Sequence, residues 1–428
     1  MHAEIISIGD ELTSGQRLDT NSQWLALQLG DLGVRTLYHT TVADDMDANV
    51  RVFQTALARA EIIVATGGLG PTADDLTRQS LAAATGRELK LDHAALADIE
   101  ALFTKRGREM PQRNRVQAEF PAGSRVIPNP HGTAPGIDLL HTRADGTHSR
   151  IFCLPGVPAE MREMWAATVV PSIREFTGEN GVIQHRVIRC FGVGESDLEA
   201  MLPDLIRRGR DPQVGITVSK ATISLRITAK GADALACDQL IAPTTQIVRD
   251  CLGELIFGQG DEELEHAVLK LLGTHSASLA TAEWGSEGQI ARWLRAVPGN
   301  EISYAGGAVL GGLHSVGQFL AMKGSAAELT KEELTRRLAE RCRELWHTDY
   351  GLAVGPAPAS STNLTQGTAD TAQPPKIWLS LAGPEKTISL SQLFAGHPDL
   401  LIIRAAKQAL NMLRLALVKR ANREGNAE

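Results

Sequence analysis

Three acidic pairs and one glycine-rich loop are the residues of this chain best suited to chemistry: Asp10-Glu11, Asp44-Asp45 and Asp74-Asp75, with Gly67, Gly68 and Gly70. The loop reads Thr66-Gly-Gly-Leu-Gly-Pro-Thr-Ala-Asp-Asp-Leu-Thr77. Ile62-Ile63-Val64-Ala65 before it predicts a buried strand, and Leu76, Ser80 and Leu81 after it predict a helix running to Gly86. Glycines at a strand-to-helix turn let backbone amides converge where the helix dipole favours an anion. Thr72 is placed to cap that helix, with Asp75 three residues on completing a capping box. Turn chemistry alone leaves an ordinary tight turn open. Carboxylates beside a phosphate cradle repel the ligand unless a divalent cation lies between them. The segment therefore reads as a site for a metal-bound phosphate or pyrophosphate.

These residues need a scaffold that brings them together. Strands are predicted at Glu4–Ile8, Arg35–Val42 and Ile62–Ala65. Helices lie between them at Asn21–Leu32 and over the stretch marked by Val50, Phe53 and Leu57. Strand-helix alternation at this spacing argues for a parallel sheet covered on both faces, whose ligands bind beyond the carboxyl ends of the strands. Each acidic pair and the glycine loop follows a strand or belongs to the turn after one, so all should share one rim. Asn129-Pro130-His131-Gly132-Thr133-Ala134-Pro135-Gly136 and Leu154-Pro155-Gly156-Val157-Pro158-Ala159-Glu160-Met161 add small turn residues that let backbone approach a ligand, or serve as plain surface loops.

At 428 residues, 43% hydrophobic and 22% charged, the chain has room for two to four globular domains. Its net charge of -7 provides no general pull toward nucleic acid or an anionic membrane. No apolar run approaches the roughly 20 residues of a membrane span, and the start reads as a strand, so a cytoplasmic location is expected. The five cysteines are scattered and never in Cys-x-x-Cys spacing, which predicts buried free thiols.

Beyond Gly178–Gly181 the pattern changes. Strands Val187–Phe191 and Ala221–Ala229 with helices Glu195–Leu205 and Leu235–Leu252 predict a small α+β unit. It lacks a Gly-x-x-Gly clamp and stacking aromatics, so a structural connector rather than direct nucleic-acid binding is the reading. A third unit begins near Asp261 with helix Leu264–Leu272 and strand Ala277–Ala282, followed by an irregular Gly-rich region. Residues 355–375 carry few bulky apolar side chains and predict an exposed, mobile loop. Helix Ile402–Leu417 closes the unit.

In order and spacing, Gly9-Asp10-Glu11-Leu12, Gly15, Asp19-Thr20-Asn21, Val42-Ala43-Asp44-Asp45, the 66–77 loop, Asn114, Gln117-Ala118, Asn129-Pro130, 132–136 and 154–161 resemble the CinA competence- and damage-inducible family. The resemblance implies an α/β architecture in three parts. Residues 1–175 form a MoaB/MogA-like, molybdopterin-binding-like parallel-sheet domain, 176–258 a KH-like α+β connector, and 259–428 a CinA-type α/β domain. It implies metal-dependent cleavage of ADP-ribose to AMP and ribose 5-phosphate by the first domain, a place in pyridine nucleotide salvage, and a homodimer. Cobalt or magnesium, with potassium, is the implied cofactor set. Asp75, Asp44 and Asp10 are the implied catalytic acids, and Asp44, Asp45, Asp74 and Asp75 the metal ligands. Gly67, Gly68, Gly70, Thr72, Asn129, Gly132 and Thr133 are the implied phosphate contacts. Hard oxygen ligands suit magnesium, and cobalt tolerates them. A non-catalytic pterin- or nucleotide-binding scaffold is the alternative, and full bifunctionality is a third reading.

The third domain resembles the family's nicotinamide-mononucleotide amidohydrolase unit but departs from it. Where relatives carry Thr-Ala-Glu-Ser-Cys-Thr-Gly-Gly, this chain has Thr281-Ala282-Glu283-Trp284-Gly285-Ser286-Glu287-Gly288. Trp284 stands at the serine position and Glu287 at a glycine position. Further departures fall at Val354-Gly355-Pro356, Pro374-Pro375-Lys376-Ile377 and Gly396-His397-Pro398. Loss of the deamidase site is the expectation, with Ser286 as a displaced nucleophile the less favoured option.

Overall fold

The computed structural model describes residues 1–178, 182–207, 209–356, 376–393 and 400–425. The 355–375 loop beyond Pro356, Pro374-Pro375 and Gly396-His397-Pro398 lie outside the described residues. The chain divides into two compact units, Met1–Gln184 with Lys230–Cys237, and His185–Ala229 with Asp238–Glu428.

The first unit opens with β1 (His2–Ile8), α1 (Asp10–Thr13), α2 (Thr20–Asp31), β2 (Arg35–Val42), α3 (Met46–Arg59), β3 (Ile62–Thr66) and α4 (Thr77–Thr85). After these come β4 (Leu89–Leu91), α5 (His93–Lys105), β5 (Glu119–Pro121), β6 (Arg125–Ile127), β7 (Gly136–Thr142) and β8 (His148–Leu154). The helices α6 (Pro158–Met164) and α7 (Val170–Thr177) complete it, joined by a π-helical turn at Trp165–Val169. The main sheet runs β2-β1-β3-β8-β7-β6. The first four strands are parallel, whereas β7 and β6 are antiparallel, so the sheet is mixed rather than wholly parallel.

Burial on both faces explains the apolar runs of β1 and β3. Alternate residues serve opposite faces. Ile63 and Ala65 join Phe53, Leu57 and Leu81 in one core. Ile62 and Val64 join Leu25, Leu29, Met161 and Trp165 in the other. Strand β2 lies at the sheet edge and is largely exposed, with only Val42 fully buried.

The α+β part, most of which belongs to the second unit, contains β9 (Val182–Cys190), α8 (Glu195–Met201), β10 (Gln213–Ser219), β11 (Thr222–Gly231), α9 (Ala234–Leu252) and β12 (Ile256–Gln259), in sheet order β10-β11-β9-β12. Helix α8 stops short of the expected Leu205, and the strands β10 and β12 complete a sheet only partly visible in the sequence. The rest comprises α10 (Leu264–Thr274), β13 (Leu279–Glu283), α11 (Gln289–Ala296), β14 (Tyr304–Val309), α12 (Leu313–Phe319), α13 (Lys331–Leu345), β15 (Tyr350–Val354), β16 (Lys376–Ala382), β17 (Thr387–Leu393) and α14 (Leu401–Gly425). The stretch after β13, expected to be irregular, is therefore largely regular. Its sheet runs β14-β13-β15-β16-β17, parallel through β14, β13 and β15 and antiparallel beyond. Lys407 of α14 donates to Glu263 at 2.8 Å and to Thr222 at 2.5 Å, so one buried ammonium ties the α+β sheet to the closing helix.

All five cysteines are free thiols; four are buried and Cys251 is partly exposed. Burial pushes the Cys153 thiol up to about 12. Among the described residues no helix is long and apolar enough to cross a membrane.

Candidate functional site

A cleft of about 440 Å³ opens at the carboxyl ends of β1, β2 and β3. Its floor is Gly67, Gly68 and Gly70, and its walls include Glu11, Arg17, Asp19, Asn21, Asp44, Asp74, Asp75, Gln117, Thr133 and Glu160. Six carboxylates and one cation thus face the same space. The parallel register produces this convergence: Ser7 of β1 pairs with both Thr41 of β2 and Thr66 of β3, so the three following loops leave the sheet together.

Two glycines are required by close approach. Gly67 has φ of +100°, and a Cβ there would meet the Ile8 carbonyl oxygen at 2.2 Å. A Cβ on Gly70 would meet the Asp75 carboxylate at 2.3 Å. That carboxylate accepts from Gly70 N at 2.7 Å, from Thr72 N at 2.9 Å and from the Thr72 hydroxyl. The expected capping box is corrected accordingly: helix α4 has Leu76 as its N-cap and no side-chain cap. Asp75 closes its own loop instead, because three local donors converge on it before the helix begins.

The amides of the loop are not equally available. Gly67 N donates to Leu154 O at 3.1 Å, and Gly70 N is held by Asp75. Among the described hydrogen bonds none engages Gly68 N or Leu69 N, which leaves these two donors for an anion. Behind them Arg78, 1% exposed, donates to Leu69 O at 2.9 Å, and Gln117 reaches the same oxygen at 3.2 Å. Burial pushes the Arg78 guanidinium down to about 10 despite nearby Asp75.

The acids divide by occupation. Asp10 N donates to Asp44 Oδ2 at 3.0 Å, and Asp44 N to Asp10 Oδ1 at 3.1 Å, locking the first two loops together. Burial raises the Asp44 carboxyl above the ordinary aspartate value against the bond from Asp10 N, and the charges of Asp10, Asp74 and Glu11 add to the rise. Asp45 turns away to cap α3, accepting from Ala48 N at 2.8 Å. Asp19 caps α2 through Ser22 N at 2.9 Å and accepts from the Ser7 hydroxyl at 2.5 Å. Asp10, the first residue of α1, does not line the cleft. Among the described residues no three His, Cys, Asp or Glu side chains gather closely enough to cage a metal ion. The four acids expected as one ligand set are therefore not assembled as one, since Asp45 leaves the cleft to cap α3 and both oxygens of Asp75 close its own loop.

The other expected phosphate contacts also separate. Asn129 is committed to its own loop: its amide donates to Ala134 O at 3.0 Å and Glu160 at 2.7 Å, and its oxygen accepts from Gly132 N at 2.8 Å. Thr72 serves Asp75, whereas Thr133 lines the cleft. Arg17 and Glu160 line it too and were absent from the expected set. Lone charged residues in turns carry no periodic signal, and only convergence in space reveals them.

In the second unit Glu283 is fully buried at the end of β13. It accepts from the Ser286 hydroxyl at 2.7 Å, Ile290 N at 3.0 Å and Ala291 N at 2.7 Å, anchoring the start of α11. Burial raises its carboxyl even against those donors. Ser286 is itself fully buried, and Trp284 packs against the cluster containing Leu334, Leu338 and Cys342. Glu287 is exposed with φ of +53°.

Comparison with known proteins matches three successive stretches of the chain. Residues 4–175 match the family described as "Probable molybdopterin binding domain", 185–258 the damage-inducible protein CinA KH domain, and 261–417 the CinA C-terminal domain. A CinA-like protein of Frankia casuarinae is 34% identical over 99% of this chain and 98% of its own length. Another from Gloeobacter violaceus is 36% identical over 97% and 96%. The solved CinA structure from Thermoplasma acidophilum, 34% identical, covers 39% of this chain and 95% of its own with a TM-score of 0.35. The chain belongs to the CinA family, with a MoaB/MogA-like domain, a KH-like connector and a CinA C-terminal domain in that order.

Proposed function

We propose that the first unit hydrolyses the pyrophosphate of ADP-ribose to AMP and ribose 5-phosphate with a divalent cation, magnesium or cobalt, assisted by potassium. The observation that carries this reading is the cleft itself: six carboxylates and one cation surround a glycine loop with two available amides. A bare pyrophosphate would be repelled from such walls, whereas a metal-bound one is attracted. Asp44 fits the ion best, because it lines the cleft, only its Oδ2 accepts from an amide, and acids rather than a cation surround its charge. Asp74 lines the same cleft, and Asp10 holds the Asp44 loop in place from outside it. With no three-acid cage among the described residues, the remaining ligands would be phosphate oxygens and water, as magnesium commonly accepts. The ion would polarise the phosphoryl oxygens and lower the pKa of an attacking water.

The chain's own residues bind and orient. Gly68 N and Leu69 N donate to phosphate oxygens at the α4 terminus, and Arg78 and Gln117 fix the Leu69 carbonyl so that the peptide keeps its direction. Arg17 supplies the cleft's one positive charge to the second phosphate. Water oxygen attacks one phosphorus as the bridging P–O bond breaks, and its proton passes to solvent or a wall carboxylate. The matching family description favours one other reading, a pterin-binding scaffold without catalysis. AMP release from ADP-ribose, abolished by chelator and restored by magnesium or cobalt, supports hydrolysis; its absence with every metal supports the scaffold.

The second unit is read as having lost nicotinamide-mononucleotide deamidation. An amidohydrolase needs an activated nucleophile and placed oxyanion donors. Ser286 is buried and already donates to Glu283, and Trp284, which has no nucleophile, packs against the cluster of Leu334, Leu338 and Cys342. Ammonia release by the full chain at the rate of a relative carrying the intact Glu-Ser-Cys motif refutes this. A homodimer completes the proposal, tested by light scattering for twice the 45.9 kDa chain mass.

A further inference from the structure

Two exposed apolar side chains line the cleft of the first unit, Leu18 at 84% exposure and Val157 at 52%. Single exposed apolar residues are ordinary, but these two share one cavity and both sit where local rules favour something else. Leu18 precedes Asp19, the N-cap of α2, a place from which an apolar side chain often staples onto the fourth helical residue. That residue here is Gln23, itself exposed, so no staple forms. Val157 is the N-cap of α6 and gives that helix no side-chain cap. Serine, threonine, aspartate or asparagine is favoured there, and Glu160 already stands three residues on, where a capping box would place it. Valine forgoes that stabilisation.

Both side chains stand on fixed backbone. Directly after Leu18, Asp19 accepts from Ser22 N at 2.9 Å. Pro155 and Pro158 bracket Gly156-Val157, and Val157 is held extended with φ of -70° and ψ of 115°. Asn21 Nδ2 donates to Gly156 O at 2.9 Å, which joins the two segments. Gly156 in turn lies against the glycine loop, since a Cβ built on it would meet the Gly67 Cα at 3.7 Å. Leu18 and Val157 therefore belong to segments tied to each other and, through Gly156, to the loop that offers Gly68 N and Leu69 N. Neither side chain has a hydrogen-bonding group, so what they recognise is the face of a flat group joined to the phosphates. A sugar covered in hydroxyls loses water there without replacement, whereas the face of a nucleobase gains by leaving water.

We propose, resting on the reading of this cleft as a pyrophosphate site, that Leu18 and Val157 hold the nucleotide's base by its faces and so select a nucleoside diphosphate ester over a pyrophosphate without a base. Two measurements on the full chain in magnesium test it: AMP release from ADP-ribose, and calorimetry with ADP and with inorganic pyrophosphate. In Leu18→Ser/Val157→Ser, KM for ADP-ribose should rise at least about tenfold with kcat near wild type, the signature of binding shared by ground and transition states. ADP affinity should fall by a similar factor, and pyrophosphate affinity should stay as it is. Leu18→Met keeps the apolar bulk and should bind ADP as wild type. Val157→Ser should weaken ADP while leaving the melting temperature unchanged or higher, because serine can cap α6, whereas a merely structural valine would move the two together. The proposal is overturned if the double variant keeps wild-type KM and ADP affinity, or if pyrophosphate binding falls along with that of ADP. Displacement of ADP by 6-hydroxymethylpterin diphosphate at a lower concentration would make a pterin the occupant and overturns it too. Failure of the hydrolysis reading is distinguishable: with no AMP release under any metal, loss of ADP binding in the double variant still supports the apolar subsite, and unchanged ADP binding still overturns it.

Discussion

Replacing Gly67 by alanine should damage the first unit in two separable ways. A non-glycine residue at φ of +100° carries about 1–3 kcal/mol of backbone strain. The added Cβ would also stand 2.2 Å from the Ile8 carbonyl oxygen, a backbone atom that cannot rotate aside. Relieving that contact needs a shift of roughly 1 Å, enough to cost an active site about 100-fold in rate. Gly67 is pinned on both sides, through its amide to Leu154 O at 3.1 Å and its carbonyl to the Thr77 hydroxyl at 2.8 Å. Weakening both adds about 1–2 kcal/mol, for a total of about 2–5 kcal/mol. Gly86→Ala is the control: φ is +65° but nothing lies within 4 Å of the new Cβ, so only about 1–2 kcal/mol of conformational strain applies. Hydrogen exchange of β1 and β3 peptides reports this unit alone, and each 1.4 kcal/mol lost speeds exchange about tenfold when opening is at equilibrium. Equal exchange in the two variants, with turnover of Gly67→Ala intact, would refute the steric argument and the role assigned to the loop.

Asp75→Asn should lower both stability, by about 1–3 kcal/mol, and turnover, because it weakens a charged acceptor of three loop donors; denaturant midpoint and AMP release measured together check this. Asp44→Asn, by contrast, should leave the denaturant midpoint at neutral pH unchanged or higher, since it relieves repulsion from Asp10, Asp74 and Glu11. Burial would raise the Asp19 carboxyl, but bonds from Ser22 and Ser7 hold it below the ordinary value. Its stabilisation is therefore complete above the unfolded aspartate pKa and lost as pH falls through the lower folded one. The acid limb of the unfolding curve should flatten in Asp19→Asn, and an unchanged limb counts against that assignment. Glu283→Ala should destabilise the second unit by about 2–4 kcal/mol by stranding Ile290 N and Ala291 N at the start of α11, read as a lower melting temperature without effect on the first unit's activity.

The scaffold of the first unit is legible in its sequence because β1 and β3 are buried on both faces and read as continuous apolar runs, while α2 and α3 keep one apolar stripe. The cleft is legible to the same extent, since acids placed after parallel strands converge on one rim. Individual side-chain roles are not. Asp44 and Asp45 are adjacent, yet one faces the cleft and the other caps α3, a choice made by loop geometry that no spacing encodes. Asp75 looks like a metal ligand until three donors five or fewer residues away claim it. Strand β14 escapes notice because Gly306 and Gly307 lower its strand propensity, and parallel pairing with β13 overrides that preference.

The most direct test of the account is AMP release from ADP-ribose by the full chain across a magnesium and cobalt titration, comparing wild type with Asp44→Asn. The account predicts turnover that chelator abolishes, that either metal restores, and that falls about 100-fold or more in Asp44→Asn even at saturating metal, the scale of a lost electrostatic contact in the transition state. Chelator-resistant turnover, or wild-type turnover by a folded Asp44→Asn protein, would contradict it.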